Sequence, residues 1–296
     1  MTYSLHGCIF IHMKIQKLKN VLGTPYFETD AVIIYNIDCR DGIQAIKDSG
    51  LFIDCTITSP PYNIGKEYED KMSVSKYRDW LAAIINSIYE ITSDAGSFLL
   101  NVGYLEVPHR GKCVPITYLL WEHIHFFLHQ EIIWNYGAGV ACNKMLSPRN
   151  EKILWYLKNA HKYTFNLDQI RDPDVKYPNQ KKNGKLRCNT LGKNPSDVWQ
   201  IAKVTSGENR SSKERTDHPA QFPTDLIDRM IKGFTNPDDL VLDPFIGSGT
   251  TAVSCINNER KCLGFEIRTD YCEMISTRIN RTYESKREAE RVLSLF

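Results

Sequence analysis

Apolar residues fall along the chain in two recurrent patterns, short unbroken runs and stripes spaced for one face of a helix. Ala31-Val32-Ile33-Ile34-Tyr35 is a continuous run of the kind that suits a strand covered on both faces. A second run, Phe52 to Thr58, stops at Ser59-Pro60-Pro61, because two prolines have no N–H to give to a ladder. Tyr77, Trp80, Leu81, Ile84, Ile85 and Ile88 are spaced for one helix face. Asp94-Ala95-Gly96 predicts a turn into a strand over Ser97 to Val102, and Pro115 predicts the first turn of a helix running to about His129. Glu131 to Tyr136 and Lys152 to Leu157 predict two further strands. After Asp217 come a helix from Pro223 to Phe234, a strand at Leu240-Val241-Leu242 and a helix ending near Asn258. A strand from Lys261 to Glu266 and a last helix follow. Such alternation predicts an α/β fold, a doubly wound and mostly parallel sheet.

Between His161 and Asp217 the periodicity lapses and the charge changes. Ten basic residues from Lys176 to Arg215 face only Asp197, Glu208 and Glu214, although the whole chain carries a formal charge of only +2. The chain thus divides into an N-terminal arm (1–25), an α/β domain (26–160 and 216–296) and an intervening basic region (161–215). With 296 residues, 42% hydrophobic and 24% charged, the composition is that of a globular protein and excludes wholesale disorder. No apolar run approaches the roughly 20 residues of a membrane span, and Cys8 to Ile11 is too short for a signal core, which predicts a cytoplasmic protein. Nine cysteines without a CxxC pair argue against a disulfide framework or a zinc site.

Leu240 to Thr251 reads as strand, glycine turn, helix. Gly247 and Gly249 let the backbone turn tightly and approach a ligand. Glu266 closes the next strand, 17 positions after Gly249, where a carboxylate can accept from both hydroxyls of a ribose. No Lys-Ser or Lys-Thr follows the second glycine, which excludes a P-loop, and the third glycine of a pyrophosphate binder is missing. A nucleoside ligand without a phosphate cradle fits this turn, and S-adenosylmethionine is one.

At the other strand end, Pro61 holds Pro60 extended, so the Pro60 carbonyl stands rigid beside the Ser59 hydroxyl and the Tyr62 ring. Two acceptors over a flat surface suit a planar group with an exocyclic amine, such as a nucleobase. The lone pair of such an amine is delocalised into its ring. Gripping both of its protons favours a pyramidal nitrogen that can attack an electrophilic methyl group.

Together these motifs resemble the amino-methyltransferases that modify DNA on cytosine N4 or adenine N6, over about Ile33 to Ile279. Ser59-Pro60-Pro61-Tyr62 matches the family's catalytic (D/N/S)PPY motif, and Asp243 to Thr251 matches its DPFxGSGTT cofactor motif. With the catalytic motif first, the chain resembles the β group of restriction-modification enzymes. That resemblance implies a Rossmann-like sheet with circularly permuted motif order and makes 161–215 a target-recognition region. Asn36-Ile37-Asp38-Cys39 resembles the segment reaching the cofactor adenine, and His218 to Pro223 the segment lining its methionine end. The cofactor residues so implied are Asp38, Cys39, His218, Phe222, Asp243, Phe245, Gly247, Gly249, Thr250 and Glu266. Ser59, and Phe222 where many adenine-specific members have lysine, resemble the cytosine-N4 enzymes more than the adenine-N6 ones.

The implied partner is double-stranded DNA, contacted by Lys181, Lys182, Lys185, Arg187 and Arg210, with the target base flipped out. A cognate restriction endonuclease and a monomeric or homodimeric state also follow from the resemblance. Alternatives are adenine N6, an RNA or protein-glutamine acceptor, and a DNA-binding module with a vestigial nucleoside pocket. His125 and His129 would share a helix face, but no carboxylate or cysteine joins them, so no metal is expected. Trp134, Trp155 and Trp199 read as core or interface residues and not as stacking platforms, and Cys39 and Cys55 as small buried fillers. No Pro-Cys dipeptide exists for a cytosine-C5 mechanism.

Overall fold

The structure is a computed structural model that describes residues 15–66, 70–139, 141–204 and 214–294. Along the first half run helix α1 (15–22), strands β1 (Phe27–Glu28) and β2 (Val32–Asn36), α2 (Cys39–Ser49), β3 (Ile53–Thr58), α3 (Val74–Ile91) and β4 (Thr92–Val102). A side hairpin β5 (Tyr104–Val107) and β6 (Gly111–Pro115), the short α4 (Ile116–Leu120), β7 (Phe127–Asn135) and β8 (Asn150–Leu157) follow. The basic region holds β9 (Lys181–Lys182), β10 (Lys185–Leu186) and β11 (Val198–Gln200). The chain ends with α5 (Thr224–Phe234), β12 (Leu240–Asp243), α6 (Thr250–Asn257), β13 (Lys261–Glu266) and α7 (Thr269–Leu293).

Among the described residues nine strands form one sheet in the order β1-β2-β13-β12-β3-β4-β8-β7-β11. The block from β2 to β4 is parallel, while β8 runs antiparallel to both β4 and β7. Alternate residues of each strand go to opposite faces, so the unbroken apolar runs are buried twice over. Leu240 and Leu242 pack with Ile43, Leu81 and Ile85 of α2 and α3, whereas Val241 packs with Ile227, Ile256 and Ile275 of α5, α6 and α7. The strand order reverses at β12 and β3, which pair in parallel through Val241 with Cys55 and Leu242 with Thr56. In doubly wound sheets a ligand crevice opens at the carboxyl ends of the strands at such a reversal.

Several sequence-based expectations change. The helix expected from Pro115 to His129 is only Ile116–Leu120, and His129 lies in β7. Asn86 of α3 donates to the His123 carbonyl at 2.8 Å and accepts from the His125 N–H at 2.9 Å, holding an extended turn where the periodicity allowed a helix. His125 and His129 therefore share no helix face; His129 stacks edge-on against Trp155 at 4.4 Å. The expected turn at Asp94-Ala95-Gly96 lies within β4, which pairs with Ile53 already at Thr92. Gly96 passes where a Cβ would stand 3.0 Å from the Asp54 carbonyl, so the residue serves close packing within the sheet. β11 joins the sheet edge beside β7 and buries Trp199, so the chain re-enters the α/β layer before residue 215. Residues 1–14 of the expected arm lie outside the described residues, and Leu18 of α1 is packed in the core. Among the described residues no helix is long and apolar enough to cross a membrane.

Candidate active site

The cofactor-type turn begins at Asp243, which is 3% exposed. Its Oδ1 accepts from Thr58 Oγ1 at 2.7 Å and from the Phe245 N–H at 3.2 Å, and its Oδ2 from Thr251 Oγ1 at 2.6 Å. Burial pushes the carboxyl up to about 6 despite these three donors. Thr58 immediately precedes Ser59, so this carboxylate ties the two motif-bearing strand ends together. Gly247, at φ 50, passes under His218, where a Cβ would stand 2.9 Å from the imidazole Nε2. Glu266 accepts from the Gly247 N–H at 3.1 Å and the Arg268 N–H at 2.9 Å. Burial raises the Glu266 pKa while these amides oppose the rise. On the next strand end, Asp38 caps α2 through the Arg40 N–H at 2.8 Å and meets the Arg40 guanidinium at 2.7 Å, which holds its pKa low.

At the proline turn the Pro61 carbonyl accepts from the buried Tyr77 hydroxyl at 2.8 Å. Asn63, at φ 60, clamps Met72 with a pair of hydrogen bonds of 2.9 and 2.7 Å, which closes the base of the loop that follows. The Tyr62 ring lies over Gly103, where a Cβ would come within 2.9 Å of it. Ser59 Oγ donates to the Tyr62 hydroxyl at 3.0 Å, as does Asn101 Nδ2 at 2.6 Å. That hydroxyl in turn lies 3.0 Å from Glu151 Oε2 and 3.3 Å from the Asn101 carbonyl. Asn101 Nδ2 also reaches Glu151 Oε2, at 2.7 Å, and Lys203 Nζ meets Glu151 Oε1 at 2.7 Å. Burial first and the Glu151 charge second push the Tyr62 pKa well above its ordinary value.

Both turns open into one cavity of about 460 Å³. It is lined by Ser59, Pro60, Pro61 and Tyr62 from the front of the chain. From the cofactor set it takes Asp38, Cys39, His218, Phe222, Asp243, Phe245, Gly247, Thr250 and Glu266. A volume of this order suits a ligand of nucleoside size together with a base. A family model described as DNA methylase, for N6 and N4 methyltransferases, matches residues 53–277. The chain belongs to this DNA methylase family. The type II methyltransferase M.ScaI of Streptomyces caespitosus is 51% identical to it over 284 residues, 96% of this chain and 92% of that one. The fold resembles that of the PvuII DNA methyltransferase (cytosine-N4-specific), with a TM-score of 0.67 and 20% identity over 87% of this chain and 89% of that one. The M1.HpyAVI-SAM complex is also similar, with a TM-score of 0.58 and 25% identity over 84% and 99%. The methylase is thus a DNA amino-methyltransferase of the N4-cytosine or N6-adenine class.

Not every residue singled out from the sequence reaches the cavity. Gly249 is absent from its lining; at φ 75 it caps α6, with Ile275 3.1 Å from where a Cβ would stand. Cys39 lines the cavity as a buried thiol whose pKa burial pushes up to about 12, which fits a filler and not a nucleophile. Lys181, Lys182, Lys185 and Arg187 are exposed on and beside the β9–β10 hairpin and line none of the cavity, and Arg210 lies outside the described residues. Lys203, one of the ten basic residues between Lys176 and Arg215, lines the cavity with its ammonium 3.7 Å from the Tyr136 ring centroid.

Asn101, Glu151, Trp134 and Trp80 are lining residues that sequence reasoning missed. For Asn101 a signal existed, a polar residue near the end of an apolar strand run, where this fold places ligands. Glu151 carried none, because it opens a strand antiparallel to its neighbour and its proximity to Tyr62 depends on the pairing of β4 with β8.

Proposed function

We propose that the methylase transfers a methyl group from S-adenosylmethionine to N4 of a cytosine extruded from a specific site in duplex DNA. One observation carries the reading: the Thr58–Asp243 hydrogen bond sets the Ser59-Pro60-Pro61-Tyr62 turn and the Gly247 turn against the same cavity. S-adenosylmethionine, when bound, supplies an electrophilic methyl group on a sulfonium. The residues present fit it. Glu266, oriented by two backbone amides, would hold the ribose hydroxyls, and Asp38 would take the adenine amino group. Asp243, Phe245, Gly247 and Thr250 would wall the nucleoside, with His218 and Phe222 at the methionine end.

With the Pro61 carbonyl engaged by Tyr77, Ser59 Oγ and the Pro60 carbonyl are the acceptors for the two amino protons. Two features support cytosine over adenine. Ser59 places a hydroxyl where many adenine enzymes have a carboxylate. The Lys203 ammonium in the cavity also favours a base edge rich in acceptors. Cytosine presents N3 and O2 beside its amino group, whereas adenine presents N1 and a C–H. The exposed cations Lys181, Lys182, Lys185 and Arg187 would contact phosphates and make binding salt-dependent. The target-recognition region, a cognate endonuclease cutting the same site, and action in the cytoplasm as a monomer or homodimer belong to the same reading. Duplex DNA incubated with the methylase and cofactor, digested to nucleosides and analysed by mass, should yield N4-methylcytosine. N6-methyladenine would replace the base assignment, and no methylated nucleoside would overturn the function.

A further inference from the structure

Methylation of an amino group leaves one proton too many on the nitrogen. As the new N–C bond forms from the nitrogen lone pair, the C–S bond breaks and its electron pair stays on sulfur. The nitrogen becomes cationic and must lose a proton. Ser59 is the side-chain acceptor at the head of the turn, but a neutral alkyl hydroxyl cannot keep that proton. It can only pass on its own.

The geometry points to where the proton goes: we propose that Ser59, Tyr62 and Glu151 form a proton relay from the target amino group to the Glu151 carboxylate, with Lys203 and Asn101 holding that carboxylate in place. The Ser59 hydroxyl donates to Tyr62 at 3.0 Å, and the Tyr62 hydroxyl lies 3.0 Å from Glu151 Oε2. In one concerted shift the amino proton moves to Ser59 Oγ, the Ser59 proton to the Tyr62 oxygen, and the Tyr62 proton to Glu151. Both hydroxyls are regenerated, the carboxylate becomes a neutral acid, and the methylated amine is left neutral. Glu151 later returns the proton to water.

The remaining contacts fit this direction of flow. Asn101 Nδ2 donates both to the Tyr62 oxygen and to Glu151 Oε2, at 2.6 and 2.7 Å, and so fixes their separation. Lys203 occupies the other carboxylate oxygen at 2.7 Å, which leaves Oε2 to receive. Among the described residues Glu151 meets Lys203 and Tyr62 directly, and its charge acts on Tyr136 together with that of Arg149. A tyrosine whose phenolate is strongly disfavoured is a conductor of protons and not a resting base. Glu151 touches no reacting atom in this scheme and acts as a positioning residue through Tyr62 and Ser59.

This inference rests on the methyl-transfer reading above, and its test separates the two. Single-turnover methylation of duplex DNA is measured across about pH 6 to 9 for the wild type, Glu151→Gln and Glu151→Ala, alongside S-adenosylmethionine affinity. Glu151→Gln should slow the step about 100-fold at neutral pH and recover as pH rises, because hydroxide must then take the proton. Cofactor affinity should change less than threefold. Added formate should restore part of the Glu151→Ala rate. In the protein alone, the isotope-edited infrared band of the Glu151 carboxylate should shift in both Lys203→Met and Tyr62→Phe. A wild-type rate in Glu151→Gln, a loss equal at every pH without formate rescue, or an unshifted band would overturn the relay. A wild type that methylates no DNA would overturn the function instead.

Discussion

The Thr58 hydroxyl donates a 2.7 Å hydrogen bond to Asp243 Oδ1, joining residues 185 positions apart in the chain, the second of which lines the cavity. Both groups are buried, at 2% and 3% exposure, so neither has water as a substitute partner. Thr58→Val keeps the shape and removes the donor. It should cost about 1–3 kcal/mol in urea unfolding and weaken cofactor binding in isothermal titration.

Asp243 also gives stability a pH dependence. Its folded pKa, about 6, lies above the usual value, so the folded state holds the proton more tightly than the unfolded chain. This contribution favours folding below the unfolded pKa and is lost as pH rises through 6. Asp243→Asn removes the titration. Between pH 5 and 7.5 the stability of the variant relative to wild type should rise by about 1.4 kcal/mol, read from urea midpoints at each pH.

His218 has the opposite sign. Burial first, then the Arg268 charge, lower its pKa from 6.5 to about 4. The unfolded chain therefore takes up this proton first, and the stabilisation present above pH 6.5 is lost as pH falls toward 4. His218→Gln should flatten that acid limb in a thermal-melt series.

The two glycines of the turn divide their labour. Gly247→Ala drives a methyl group toward the His218 ring and should reduce cofactor affinity at least tenfold. Gly249→Ala strains a left-handed residue against Ile275 and should lower stability by about 1 kcal/mol while affecting affinity less. Equal effects of both on affinity would return Gly249 to the cavity wall.

Replacing Lys181, Lys182, Lys185 and Arg187 together by alanine should flatten the dependence of DNA affinity on salt by up to about 3.6 logarithmic units per decade. The rate at saturating DNA should be retained, because none of the four lines the cavity. An unchanged salt slope would remove this hairpin from the DNA-contacting surface.

Much of the fold was legible because its strands are buried on both faces and stand out as unbroken apolar runs. Punctuation by Pro60-Pro61 and by Gly247 and Gly249 then located the strand ends that bear chemistry. Two kinds of information stayed hidden. One was tertiary override, as at residues 121–129, where the Asn86 amide holds an extended turn that periodicity alone reads as helix. The other was antiparallel register, which alone brings Glu151 beside Asn101 and Tyr62. Lys203 illustrates a third difficulty, since a lysine in a basic stretch looks the same in sequence whether it meets solvent or a buried carboxylate.

The sheet order also dictates how the molecule is made. β2 and β3 are synthesised early, yet β2 takes its parallel partner from β13, and β12 lies on one side of β3. The free edge of β3 waits until Asp243 has left the ribosome and that of β2 until Glu266 has, so the parallel core closes only once β12 and β13 have emerged. The proline turn cannot build the cavity alone; the cavity waits for the glycine turn that β12 and β13 carry.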